Sequence, residues 1–305
     1  MTQCVTLLVL SVSCTNPEKN LLERVQKLRL PSRPGDVPVY YSSCCESRAL
    51  EAQDALIGSA HFYERHLGVR VPMALAVLTT EDWLRIVPFV FKWRRKPLEL
   101  GFVSDQPPYV AVLPVGNDNL ADRIYLSRQN QAPRATWQLL TSVNLSYPEA
   151  VSKFMIHLGL HEIGHRQTTA YGIDTPNRWF NELLANYFSY AYLKTEAPKL
   201  ATVVEALDLV PLGPVQHTSL EDLEKLYNGV GKPNYVWYQQ QFERRASSIY
   251  TGCGGIDFLT KVKATFPSLP GRPASGSVGE VLGRLESLCP GFESWAAELR
   301  NAIKQ

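Results

Sequence analysis

His161-Glu162-Ile163-Gly164-His165 sits within residues 151–169, a stretch whose apolar spacing predicts one long helix. Tyr147-Pro148-Glu149 marks its start, with proline and an acid in the first turn. The two histidines are four residues apart, so both imidazoles leave the same face about one turn from each other. Glu162 lies beside that face. A short turn, Tyr171-Gly172-Ile173-Asp174-Thr175-Pro176, separates this helix from a second one predicted over residues 179–193. A turn of that length folds the two helices antiparallel and returns Glu182 to the histidine pair.

Working outward, the second half of the chain reads as helical almost throughout. Further helices are predicted over 219–227, 235–250, 256–264, 278–288 and 292–303. The first half differs. Strands are predicted over 37–41, 72–79, 109–114 and 123–126, and an amphipathic helix over 47–67 that ends before Gly68. The expected fold class is α+β: a small mixed sheet with helices, then a mainly helical lobe. The expected organisation is a signal segment at 1–14, a linker or short helix at 15–36, an α/β lobe at 37–150 and a helical lobe at 151–305.

His-Glu-x-x-His on a helix offers two zinc ligands and a general base. A catalytic zinc needs a third protein ligand and one open position. A metzincin would place glycine three residues after His165 and a third histidine three residues further on. Thr168 and Tyr171 stand there instead. Glu182 is the remaining candidate. It is a lone acid in Trp179-Phe180-Asn181-Glu182-Leu183-Leu184-Ala185, and an ionised carboxylate on so apolar a helix is costly unless it meets a cation. His157, one turn before His161, is read as a core or supporting residue.

Residues 161–165 and 178–188 together resemble the gluzincin metallopeptidases, which include thermolysin and the aminopeptidase-N-like enzymes. The segment around Glu182 is similar to the Asn-Glu-x-x-Ala helix that supplies their third ligand. The resemblance implies one Zn2+ held by His161, His165 and Glu182, in a cleft between an α/β lobe and a helical lobe. It implies a peptide or protein substrate, with Glu162 taking a proton from water and passing it to the leaving amine. It also implies a Tyr or His donor for the developing oxyanion. Tyr238, whose placement resembles the catalytic tyrosine of the aminopeptidase-N-like enzymes, and Tyr235 are the candidates, with His217 behind them. Asn186 and then Asp174 are expected to orient the imidazoles. The spacing from His165 to Glu182 is slightly short for the family. The strand that holds a free α-amine in the aminopeptidases has no counterpart, so aminopeptidase specificity is not implied.

With a net charge of +2, the chain shows no strongly basic face for nucleic acid. Its one dense basic run, Lys92-Trp93-Arg94-Arg95-Lys96, reads as a solvated loop. The apolar run from Cys4 to Val12 followed by Cys14 reads as a secretory or lipoprotein signal with Cys14 lipidated, so export is expected. The remaining cysteines, Cys44, Cys45, Cys253 and Cys289, suit disulfides in an oxidising compartment, with Cys253–Cys289 the favoured pair. A monomer is expected. Two alternatives to a peptidase stand: a zinc hydrolase of another amide or ester, and a non-catalytic binding protein of the same fold.

Overall fold

Met73–Leu78 (β3) is buried at all six positions, which a strand achieves only when both faces of its sheet are covered. The computed structural model describes residues 21–86, 98–115, 119–227, 229–269, 271 and 275–302. Within them β3 is the middle of a five-stranded sheet of order β1-β2-β3-β5-β4, with β1 at Ser32–Arg33, β2 at Val39–Tyr41, β4 at Phe102–Val103 and β5 at Tyr109–Pro114. The β2, β3 and β5 strands run parallel, and β1 and β4 close the two edges antiparallel. Successive side chains alternate between faces. Met73, Leu75, Val77, Ala111 and Leu113 join the main core. Ala74, Ala76, Leu78, Val110 and Val112 join a smaller cluster with Leu21, Val25 and Ile86. Those last three come from α1 (Leu21–Lys27) and α3 (Thr80–Ile86), which cover the second face.

The first face packs on α2 (Glu46–Leu67) and α6 (Tyr147–Tyr171), and α4 (Leu120–Ser127) and α5 (Arg134–Ser142) pack in turn on α6. The long α6 carries its own boundaries. Ser146 and Glu149 form a reciprocal capping box, proline occupies the first turn, and Gly172 ends the helix in the left-handed conformation. Next come α7 (Arg178–Glu196), α8 (Pro198–Asp208), α9 (Leu220–Leu226) and α10 (Lys232–Gly252), then α11 (Asp257–Thr265), α12 (Val278–Leu288) and α13 (Phe292–Asn301). The expected α+β class holds: thirteen α-helices and one small mixed sheet among the described residues. The main hydrophobic cluster draws on residues from Val37 to Leu299, on both sides of position 150.

Two local expectations fail. Residues 123–126 are not a strand but part of α4. Arg-Ile-Tyr-Leu has strand-like composition, yet the Asn119 side chain accepts from the Ala121 amide and caps a helix there. Tyr125 then packs edge-on against Phe154 of α6, at 5.3 Å between ring centroids. The second failure concerns the cysteines. Cys253–Cys289 is a disulfide, but Cys44 and Cys45 are free. Cys45 is buried in the core at the start of α2, while Cys44 is exposed. No helix among the described residues is long and apolar enough to cross a membrane. The signal-like segment with Cys4 and Cys14, and the basic run 92–96, lie outside the described residues.

Candidate metal centre

Helices α6 and α7 meet at Gly164. A Cβ placed on that residue would lie 2.6 Å from the Ala185 carbonyl oxygen and 2.9 Å from its Cα. Only glycine permits so close an approach of the two backbones. It puts His161 and His165 of α6 opposite Glu182 of α7. Glu182 Oε2 is 3.3 Å from His161 Nε2 and 3.8 Å from His165 Nε2, and ligand atoms of all three residues lie within 4.8 Å of one another. Zinc bonds of about 2.0–2.1 Å at the tetrahedral angle require donors about 3.3 Å apart. The triangle therefore fits one zinc ion after small shifts, and its two imidazoles and one carboxylate are the donor types zinc takes. This is the only such group of His, Cys, Asp and Glu among the described residues.

Neighbouring amides and hydroxyls fix these side chains. His161 Nδ1 donates to Asn186 Oδ1 at 3.0 Å, which turns the Nε2 lone pair toward Glu182. Asn186 Nδ2 donates in turn to Gln239 Oε1 at 2.8 Å and to the Glu182 carbonyl at 3.2 Å. Gln239 Nε2 donates to Glu182 Oε2 at 2.7 Å, and Tyr227 donates to Oε1 at 2.5 Å. The Tyr235 hydroxyl reaches Oε2 at 3.4 Å. The Glu162 carboxylate lies against Gly101, where an added Cβ would be 3.3 Å from Oε1.

Burial and mutual charge set the titration of the group. Burial disfavours a charged His161, but the Glu182 carboxylate bonded to it prevails and raises its pKa to about 9. Burial lowers His165 to about 4, against the pull of Glu182. Burial opposes ionisation of Glu182 as well, yet His165 and His161, with the Tyr227 hydroxyl, hold it at about 2. Burial raises Glu162 to about 7, with His161 opposing and Glu182 adding to the rise.

The sequence-expected residues divide. His161, Glu162, His165, Glu182 and Asn186 come together. Tyr238 does not join them: its hydroxyl donates to the Ser219 carbonyl at 2.7 Å and its ring stacks on Phe242. Tyr235 and Gln239, one helical turn apart, face Glu182 instead. His217 pairs with Asp222 at 3.8 Å. The Asp174 amide bonds the Phe266 carbonyl in the loop after α6. His157 is buried between Ser189 Oγ at 2.7 Å and Glu243 Oε1 at 2.9 Å, as a core residue would be. Sequence reasoning passed over Tyr227 and Gln239. The i, i+4 spacing of Tyr235 and Gln239 was the available signal, whereas Tyr227 comes from a separate turn after α9 and left none.

A pocket of about 580 Å³, counting its open mouth, adjoins the centre and is walled in part by Gly101, His161, Glu162, Tyr235 and Gln239. Arg166 of α6 bonds the Val103 carbonyl of β4 at 3.3 Å and Asp105 at 2.7 Å, tying the helix to the sheet's edge strand. No protein-family model, curated protein or solved structure matches this chain.

Proposed function

We propose that this chain is a zinc-dependent peptidase of gluzincin type, its site lying in a cleft between the sheet and the helices of the second half. The observation that carries the reading is the convergence of His161, His165 and Glu182 on one point, with Glu162 beside them. Zinc held there would acidify a water molecule and polarise a substrate carbonyl. Glu162 accepts the proton of that water and delivers it to the departing amine. Tyr235, on the pocket wall, supplies a hydroxyl to the developing oxyanion. Tyr227, Gln239 and Asn186 hold the ligands in place. Export belongs to the proposal through residues 1–14, whose pattern is a matter of sequence alone.

The test is a peptide-library cleavage profile of the full chain with and without a chelator. Cleavage that the chelator abolishes and added zinc restores supports the reading. A zinc-loaded protein that cleaves no peptide overturns it.

A further inference from the structure

Two cations from different helices converge on Glu99. Arg123 of α4 donates to its Oε1 at 2.7 Å, and Lys232, the first residue of α10, donates to its Oε2. The Glu99 carbonyl accepts from the Leu120 amide of α4 at 2.8 Å. These anchors hold residues 98–101, a short strap that leads into β4. Leu100 of the strap lines the pocket beside the metal centre and is still 38 % exposed, so it stands at the pocket's mouth. Gly101, next to it, lies against the Glu162 carboxylate, where an added Cβ would be 3.3 Å from Oε1 and 3.4 Å from Cγ.

Val236 belongs to the same pocket wall as Tyr235 and lies one helical turn after Lys232. The Glu99–Lys232 pair therefore spans the mouth, from the strap to α10. Of the parts it joins, the strap has the weakest hold of its own. The Asn234 side chain fixes the start of α10, accepting from the Gln216 amide at 3.0 Å and donating to the His217 carbonyl. The Asn119 cap and the packing of Tyr125 on Phe154 fix α4. By contrast β4, which follows the strap, is two residues long and pairs on one side only. The Glu99, Arg123 and Lys232 side chains are 21 %, 41 % and 55 % exposed. Ion pairs so close to water are individually weak and are screened by salt, so they hold a segment without locking it. Lys232 keeps the Glu99 carboxyl below its ordinary pKa, and its charge persists through neutral pH.

We infer that Glu99 is the latch of this strap: with both cations bound the strap closes the pocket mouth over Glu162, and with them released a substrate enters. The word substrate rests on the peptidase reading, whereas the latch belongs to the fold and needs no turnover. Only the open form admits a ligand, so a weaker latch raises apparent affinity by the factor by which it raises the open population.

The experiment follows the strap directly, by NMR of the full-length, zinc-supplemented chain. The Leu120 amide reports release, because its hydrogen bond goes to Glu99. The Tyr125 amide, inside the same helix, is the control. A neutral nitroxide in solution reports the mouth through relaxation of the Val236 methyls. Removing one surface carboxylate that serves two cations predicts that Glu99→Gln speeds Leu120 exchange by about three- to tenfold, with Tyr125 unchanged. Raising salt from about 20 mM to about 500 mM should do the same in wild type and not in the variant. Nitroxide relaxation at Val236 should rise in step. Lys232→Met should give part of the gain and add nothing when combined with Glu99→Gln. Unchanged Leu120 exchange in Glu99→Gln overturns the inference. So does equal acceleration at Tyr125, which is unfolding of α4 rather than release of the strap. Faster exchange with no added relaxation at Val236 overturns it too, because the strap would then move without opening the pocket. If the variants do not fold, the salt dependence of wild type decides the matter. Peptides left uncut by a chain whose strap opens in this way would sink the peptidase reading and leave the latch standing.

Discussion

Gly164→Ala tests whether the metal triangle depends on the close approach of α6 and α7. The new methyl would sit 2.6 Å from the Ala185 carbonyl oxygen and 2.9 Å from Ala185 Cα. An ordinary contact is about 3.5 Å, so the helices must part by about 0.9 Å there. The obstacle is backbone and cannot swing aside. Overpacking of that kind costs about 1–3 kcal/mol. The rigid neighbour argues for the upper end, and the better helix propensity of alanine returns about 1 kcal/mol. The net loss is about 2 kcal/mol, a shift of several degrees in Tm. The effect on the metal is larger in proportion. His161 and His165 ride on one helix and Glu182 on the other, and metal–ligand distances tolerate only about ±0.2 Å. Zinc affinity should therefore fall by at least about tenfold. Gly159→Ala on the same helix is the control. Its Cβ would meet the side-chain ends of Leu113 at 3.1 Å and Leu56 at 3.3 Å, which can yield. Thermal melts and competitive zinc titrations of both variants check the argument. If Gly164→Ala binds zinc within twofold of wild type and melts no lower than Gly159→Ala, the geometric reasoning is wrong.

Tyr235→Phe should cost about 10²-fold or more in kcat with zinc content unchanged, whereas Tyr238→Phe should leave kcat nearly unchanged, because its hydroxyl is turned to Ser219; steady-state kinetics of the pair would expose the opposite assignment. Reducing Cys253–Cys289 opens a closure of sequence separation 36, and loop entropy puts the loss near 4 kcal/mol. Denaturant melts with and without reductant should show it, and coincident curves would refute it. Asp122 is buried beside Arg48, and burial lifts its pKa to about 6 despite that arginine. Its folded pKa is above the unfolded one, so protonation favours the fold. Stability from this group is full below about pH 4 and lost as pH rises through 6, about 3 kcal/mol in all. Asp122→Asn should remove that slope, and parallel stability–pH curves for the two proteins would contradict the assignment.

What could be read in the chain alone follows from where its signals are local. The His161–His165 face, the helix start at Tyr147-Pro148-Glu149, and the placing of Glu182 on an aromatic helix are each written within a few residues. All appear in the structure where periodicity placed them. The α12 helix, expected over 278–288 from its apolar period, matches those bounds because that period too is local. Residues 123–126 misled because four residues cannot establish a period, and the deciding group, the Asn119 cap, lies outside them. The α8 helix, which no expectation covered, follows α7 directly with Pro198 in its first turn. Tyr238 resembles the family's catalytic tyrosine in placement, but its hydroxyl packs against the Ser219 carbonyl at the start of α9, away from the metal triangle. That packing is tertiary, and so is the arrival of Tyr227 at Glu182.

Metal content tests the central claim most directly. Wild type, Glu162→Gln and His165→Ala are purified without chelators and analysed for bound zinc, with peptide turnover measured on the same samples. The account predicts about one zinc per chain in wild type and Glu162→Gln, and less than about a tenth in His165→Ala, because two ligands cannot hold a catalytic zinc. It further predicts that Glu162→Gln loses turnover by about 10²-fold or more while keeping its metal. Wild type with less than about a tenth of an equivalent of zinc, or His165→Ala loaded to the same level as wild type, would contradict it.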